Sequence, residues 1–298
     1  MNEWKILSDE LPSTTSRIGF TICYYKNEIF LFGGDENFSQ FPIFFCYSFK
    51  IDTKEWTNYS IFHQDSPEGR HSHSGEIWKN NYIIFGGDAN TLDYNFDEIW
   101  IFNFENKKWN ELTLNCIGSI PTCRSYHTCN INPKLSILYI FGGILNSNQN
   151  EIHLDDLYSL TLEDGLMWKK IENKIKPSKR RSHSSILSKN KNSFFIFGGF
   201  GGNKKNEKNF LNDLWNFNFE NEIWNEIKLK NDLILPNPRR YFSISFDINE
   251  NGFFIFGGYS NKFKVENDLW KLEFNNFEKK FQTLMLKQKN YQDIFISF

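Results

Sequence analysis

Five arginines recur along the chain at a nearly fixed interval: Arg17, Arg70, Arg124, Arg180 and Arg240. Three residues after them stand Phe20, His73, His127, His183 and Ser243. A guanidinium is a planar fork of donors that fits a carboxylate two bonds at a time. Gathered around one surface, five of them suit an acidic peptide, so all five are candidate partner-binding residues. The alternative is internal: each arginine pairs with the acid of its own repeat. Glu98, Asp156, Asp213 and Asp268 stand in phase for that role, with Phe45 at the same place in the first repeat. Arg17, lacking an acid, is the arginine expected to be most available. The histidines raise a metal reading, and His71 and His73 on one strand would share a face, yet two ligands do not make a site. The shared repeat position of His73, His127 and His183 favours hydrogen bonding within an inner strand.

The elements that position these residues are marked by glycine pairs: Gly33-Gly34, Gly86-Gly87, Gly142-Gly143, Gly198-Gly199 and Gly257-Gly258, spaced 53, 56, 56 and 59 residues apart. Each closes an aromatic run such as "EIFLFGG", "NYIIFGG" or "GFFIFGG". A second aromatic strand follows ("DEIWIFNFE", "NDLWNFNFE"), then Trp56, Trp109, Trp168 or Trp224 in the first four units. Each unit therefore reads as four short strands with no helical period. A lone four-stranded sheet leaves both faces open. Stacking such sheets radially covers them, which predicts an all-β propeller.

The glycine pairs, the Asp-Leu-Trp strands and the recurring tryptophans resemble the kelch-repeat family, over nearly the whole chain. The Arg-x-x-His openings are most similar to its Rab-effector and host-cell-factor branch. The resemblance implies a single kelch β-propeller domain, 1–298, with repeats near 13–60, 66–115, 120–175, 177–230 and 236–287. Five four-stranded blades are expected, and the termini, 1–12 and 288–298, either latch the N-terminal strand onto the fifth blade or, the favoured reading, build a partial sixth. Phe281 is expected at the tryptophan position of the last blade, and "EWKIL" at 3–7 as a surplus outer strand. The iron and copper sites of some kelch relatives have no counterpart in the residues.

A net charge of −2 and a pI near 6.3 give no basic field for nucleic acid. The five cysteines form no C-x-x-C pair, which suggests free thiols in a reducing compartment. No signal-peptide pattern opens the chain, and no apolar run suits a membrane helix. Motifs for nucleophilic, nucleotide or zinc chemistry are absent, so neither a catalytic residue nor a cofactor is expected. The basic run 169–181 reads as a solvated linker. Inserts at 144–154 and 200–210, with Asn146, Asn148, Asn203 and Lys204, are the expected specificity loops. The sequence thus predicts a noncatalytic adaptor or complex subunit that binds other proteins, in the cytoplasm or alternatively the nucleus. Two further readings stand beside it: a kelch-type enzyme acting at the channel mouth, and a cytoskeletal or organelle-associated structural subunit.

Overall fold

A computed structural model describes residues 7, 17–35, 46–59, 66–89, 95–147, 150–202, 209–228, 235–247, 252–261, 264–274 and 283–288. The expected closing strands at 3–7 and 288–298 fall almost wholly outside these residues, as do Phe45, Phe281, Asn148, Asn203 and Lys204. The chain divides into two compact units, Glu3–Lys170 and Ile171–Phe298.

In the first unit, antiparallel sheets follow one another in chain order. The first holds β1 (Thr21–Tyr25), β2 (Glu28–Phe32), β3 (Cys46–Lys50) and β4 (Glu55–Asn58). The second holds β5 (Ser74–Trp78), β6 (Asn81–Phe85), β7 (Ile99–Asn103) and β8 (Lys108–Glu111). In the third, β10 (Thr128–Asn132), β11 (Ile137–Phe141), β14 (Leu157–Thr161) and β15 (Met167–Ile171) are joined by β9 (Ile117–Gly118), which lies parallel to β15 along its outer edge. Beside this sheet, β12 (Ile144–Ser147) and β13 (Asn150–His153) pair as a separate ribbon.

Continuous apolar runs form these strands because both faces of the middle sheet are covered. Along β6, Tyr82 and Ile84 join one core with Phe30, Phe32 and Trp109, while Ile83 and Phe85 join the other with Ile131, Leu138 and Trp168. Trp100 and Phe102 alternate with Ile99 and Ile101 along β7 in the same way. The interfaces repeat in detail. Phe32, which ends β2, meets His73 at 5.2 Å and Trp109 at 4.9 Å between ring centroids. Phe85, which ends β6, meets His127 at 5.5 Å and Trp168 at 5.6 Å. Trp109 and Trp168 therefore each clamp the preceding sheet's phenylalanine.

In the second unit, β17 (Ser184–Leu187), β18 (Ser193–Gly201), β19 (Asn209–Asn218) and β20 (Ile223–Glu226) form one sheet, with β16 (Arg180–Arg181) also paired to β18. Here the second and third strands run on beyond the glycine pair, with a register shift between Phe197 and Gly199. The short strands β21 (Arg239–Arg240), β24 (Tyr259–Ser260) and β25 (Lys264–Val265) form a small sheet. The remaining sheet is β22 (Ser243–Phe246), β23 (Gly252–Phe256), β26 (Leu269–Phe274) and β27 (Thr283–Gln288). The last repeat thus has its own fourth strand, in a different register from the one expected. Met285 pairs with Leu272, the place that Trp224 holds against Phe217. Phe281 precedes the strand, because the connection from Phe274 to Thr283 is longer than that from Asn218 to Ile223.

Candidate functional site

Four arginines form one repeated device. Arg70, Arg124, Arg180 and Arg239 are 0% exposed. Each Nε donates to the carbonyl two residues back, those of Glu68, Thr122, Ser178 and Asn237, at 3.0–3.1 Å. Each Nη1 donates to the first carbonyl of its glycine pair, those of Gly86, Gly142, Gly198 and Gly257, at 2.8–3.1 Å. The in-phase acids complete the set: Glu98, Asp156, Asp213 and Asp268 lie 2.5–2.7 Å away. Trp100, Trp215 and Trp270 donate to the acid two residues before them at 2.7–2.9 Å, which accounts for the Asp-Leu-Trp pattern. Burial works to raise the Asp213 carboxyl, but the charge and hydrogen bonds of Arg180, with the bond from Trp215, hold it below the usual carboxylate range. These arginines are struts that tie the start of each inner strand to the glycine turn and to the third strand. With no exposed atom, Arg70, Arg124 and Arg180 do not form the accessible rim considered from the sequence.

Two further arginines are placed differently from expectation. Arg17 is 8% exposed, reaches the Gly33 carbonyl at 3.5 Å and lies 5.0 Å from the Tyr47 ring, so lack of an in-phase acid does not free it. In the last repeat the strut is Arg239, not Arg240. The residue two after Arg17 and two after each strut has positive φ: Gly19, Ser72, Tyr126, Ser182 and Tyr241 at 67°, 54°, 57°, 52° and 56°. That places Phe242, rather than Ser243, at the histidine position, where it packs on Phe197 at 5.5 Å as His127 packs on Phe85. Arg240 is left over. Its guanidinium stands 5.0, 5.6, 4.8 and 5.8 Å from the rings of Phe200, Phe210, Tyr241 and Tyr259.

The histidines serve the sheet interfaces. His73 Nε2 is 2.6 Å from Thr21 Oγ1 and His127 Nε2 is 2.7 Å from Ser74 Oγ, each a bond to the inner strand of the preceding sheet. Burial, and next the charge of the adjacent strut, push His73 and His183 well below the usual imidazole range, so both are neutral. Among the described residues, no three His, Cys, Asp or Glu side chains stand together as metal ligands.

The expected insert at 144–154 carries the β12–β13 ribbon, and of the insert at 200–210 the described ends, 200–201 and 209–210, pair as continuations of β18 and β19. Asn146, on β12, turns back to the second repeat. Its backbone N–H donates to Asn95 Oδ1 at 2.6 Å and its amide to Asp88 Oδ2 at 3.0 Å. Exposed apolar side chains stand on β13 and on the small sheet of the last repeat: Ile152 is 45% exposed and Val265 on β25 is 73% exposed.

Glu76 went unnoticed in the sequence. It lies on β5, with Cys23 of β1, Tyr82 of β6 and Cys129 of β10 near enough to feel its charge. Burial pushes its carboxyl up to about 7, and one backbone hydrogen bond at Ile77 opposes this only weakly. A rise from 4.5 to about 7 corresponds to at most about 3–4 kcal/mol, which residual solvent contact trims to roughly 2. The folded state holds this proton more tightly than the unfolded chain. Stability is therefore highest below pH 4.5 as far as this group is concerned, and falls as pH rises towards 7. Glu76→Gln is expected to raise the melting temperature by about 5 °C at pH 8 and to leave it unchanged at pH 4.5. Equal shifts at both values would show that the carboxyl is not the cause.

Comparison with known proteins gives this repeat geometry its place. A family model described as the KLHDC2/KLHL20/DRC7 Kelch-repeats domain matches residues 1–199. The chain belongs to the kelch-repeat family. Its antiparallel sheets are of the kelch β-propeller class. Host cell factor homolog hcf-1 of Caenorhabditis elegans is 26% identical over 273 residues, 86% of this chain and 33% of that protein. Kelch domain-containing protein 1 of Mus musculus is 24% identical over 282 residues, 86% of this chain and 64% of that protein. The dynein alpha chain of the flagellar outer arm of Chlamydomonas reinhardtii is 29% identical over 162 residues, 54% of this chain and 3% of that protein. The kelch chain therefore spans only part of the length of these relatives. No helix among the described residues is long and apolar enough to cross a membrane.

Proposed function

We propose that this kelch chain is a noncatalytic protein-interaction platform, an adaptor or a subunit of a larger complex, acting in the cytoplasm or nucleus on other proteins rather than nucleic acid. One observation carries this reading. The repeat machinery consumes the strut arginines and histidines internally, while the insert at 144–154 and the β24–β25 ribbon of the last repeat leave Ile152 and Val265 in solvent. Exposed apolar groups on the short ribbons between second and third strands suit a protein surface better than a small metabolite. The likeness to a dynein alpha chain over 54% of this chain favours, as a second reading, a structural subunit of a cytoskeletal assembly.

The test is affinity capture from native extract with the wild type and with an Ile152→Asn, Val265→Asn double variant. Specific partners should fall at least about fivefold with the variant while its melting temperature stays within about 2 °C. Partners retained equally by both would remove the ribbons from the binding surface. No specific partner with either, together with stoichiometric metal in the purified protein, would favour an enzyme.

A further inference from the structure

We propose that Arg240 and the rings around it form a docking site for an acidic segment of a partner protein, one carboxylate of which takes the outer edge of the guanidinium. This rests on the interaction-platform reading and names the place and the partner's chemistry. Four rings, from Phe200, Phe210, Tyr241 and Tyr259, stand within 5.8 Å of the guanidinium carbon. Rings hold a guanidinium by its faces, while its N–H donors lie in its plane and stay open at the edge. Nε of Arg240 is buried without an acceptor. Among the described residues, no acid closes on Arg240 as Asp268 closes on its neighbour Arg239.

The repeats themselves show that this arrangement is not needed for the fold. One residue after the strut, the first unit has Ile18, His71 and Ser125, bridged to Asp35, Asp88 and Ile144. The second unit has Arg181 and Arg240 there, paired with Phe200 and Tyr259. Arg181 stands 5.7 Å from the same Phe200 ring that Arg240 covers. Around them, Tyr241 is 51% exposed, and Val265, which is paired with Tyr259, is 73% exposed. That apolar border suits the side chains flanking an acid in a peptide more than it suits a free anion.

The probe is a fluorescein-labelled octapeptide of alternating Glu and Tyr, with its Gln-Tyr counterpart as control, read by anisotropy on the full chain. Wild type should bind the Glu peptide in preference to the Gln peptide. Arg240→Gln should weaken binding roughly ten- to a hundredfold, and Arg240→Lys, which keeps the charge but loses the fork, should weaken it nearly as much. Both variants should melt within about 2 °C of wild type, since the strut is the neighbouring residue. The proposal is overturned if wild type ignores the Glu peptide, if Arg240→Gln binds it equally, or if only a phosphotyrosine version binds. Capture of extract partners by wild type alongside no Glu-peptide binding would leave the platform reading standing and remove this site.

Discussion

Replacing Arg180 by Met is expected to cost about 3–5 kcal/mol of stability, a fall of roughly 10 °C in melting temperature. The methionine fills the space but makes none of the bonds. It strands the Ser178 and Gly198 carbonyls, which the guanidinium reaches at 3.0 and 3.1 Å, and it takes both oxygens of Asp213 from their partner. The pH dependence has a definite sign. Asp213 is held below its ordinary 3.8, so the contribution of the pair is complete above that value and is lost as pH falls through the lower folded value. The gap between wild type and variant should therefore narrow in acid. Arg240→Met is the matched control, because it removes an arginine that stacks on rings but makes no strut, and should cost under about 1 kcal/mol. Equal losses from the two variants, by thermal or urea unfolding, would refute the strut. An arginine kept for an outside partner would show the reverse pattern: little stability lost, much binding lost.

The spacing of glycine pairs, in-phase acids and tryptophans was enough to read the repeat, because each of those residues acts within its own sheet or on the adjacent one. The pairing of acid with arginine was legible for the same reason. Choosing between Arg239 and Arg240 was harder, since both lie a plausible distance before Gly257. The deciding signal was present in the sequence as the tyrosine two after the strut, Tyr126 and Tyr241, a position that the structure shows at positive φ. Other features depend on what faces what. Nothing along β5 says that the charge of Glu76 will be felt by cysteines of β1 and β10. Nothing in the "GGFGG" stretch says that β18 will continue through its glycines to bring Phe200 under two arginines. The register of β27 followed from the length of a connection, which periodicity does not fix.

Gly86→Val is expected to be as damaging as loss of a strut, and for two separable reasons. Gly86 has φ of +66°, where a β-branched residue is strained by about 1–2 kcal/mol. A side chain there also has nowhere to go: its Cβ would lie 2.5 Å from the Arg124 carbonyl oxygen and 2.9 Å from His127 Cε1. Gly86 is where one repeat touches the next, since its own carbonyl accepts from Arg70 and the N–H of Gly87 donates to the Arg124 carbonyl at 2.9 Å. Pushing Arg124 aside displaces the strut of the third sheet and adds about 1–3 kcal/mol. The total, about 2–5 kcal/mol, should appear as a melting temperature lower by roughly 5–10 °C or as loss of soluble protein. Gly165→Val separates the causes, because Gly165 has φ of +105° but nothing within 4 Å of a built Cβ. That variant should show only the backbone strain. If both variants fall equally, the close approach between repeats is not what demands glycine, and the backbone angle alone explains the pair.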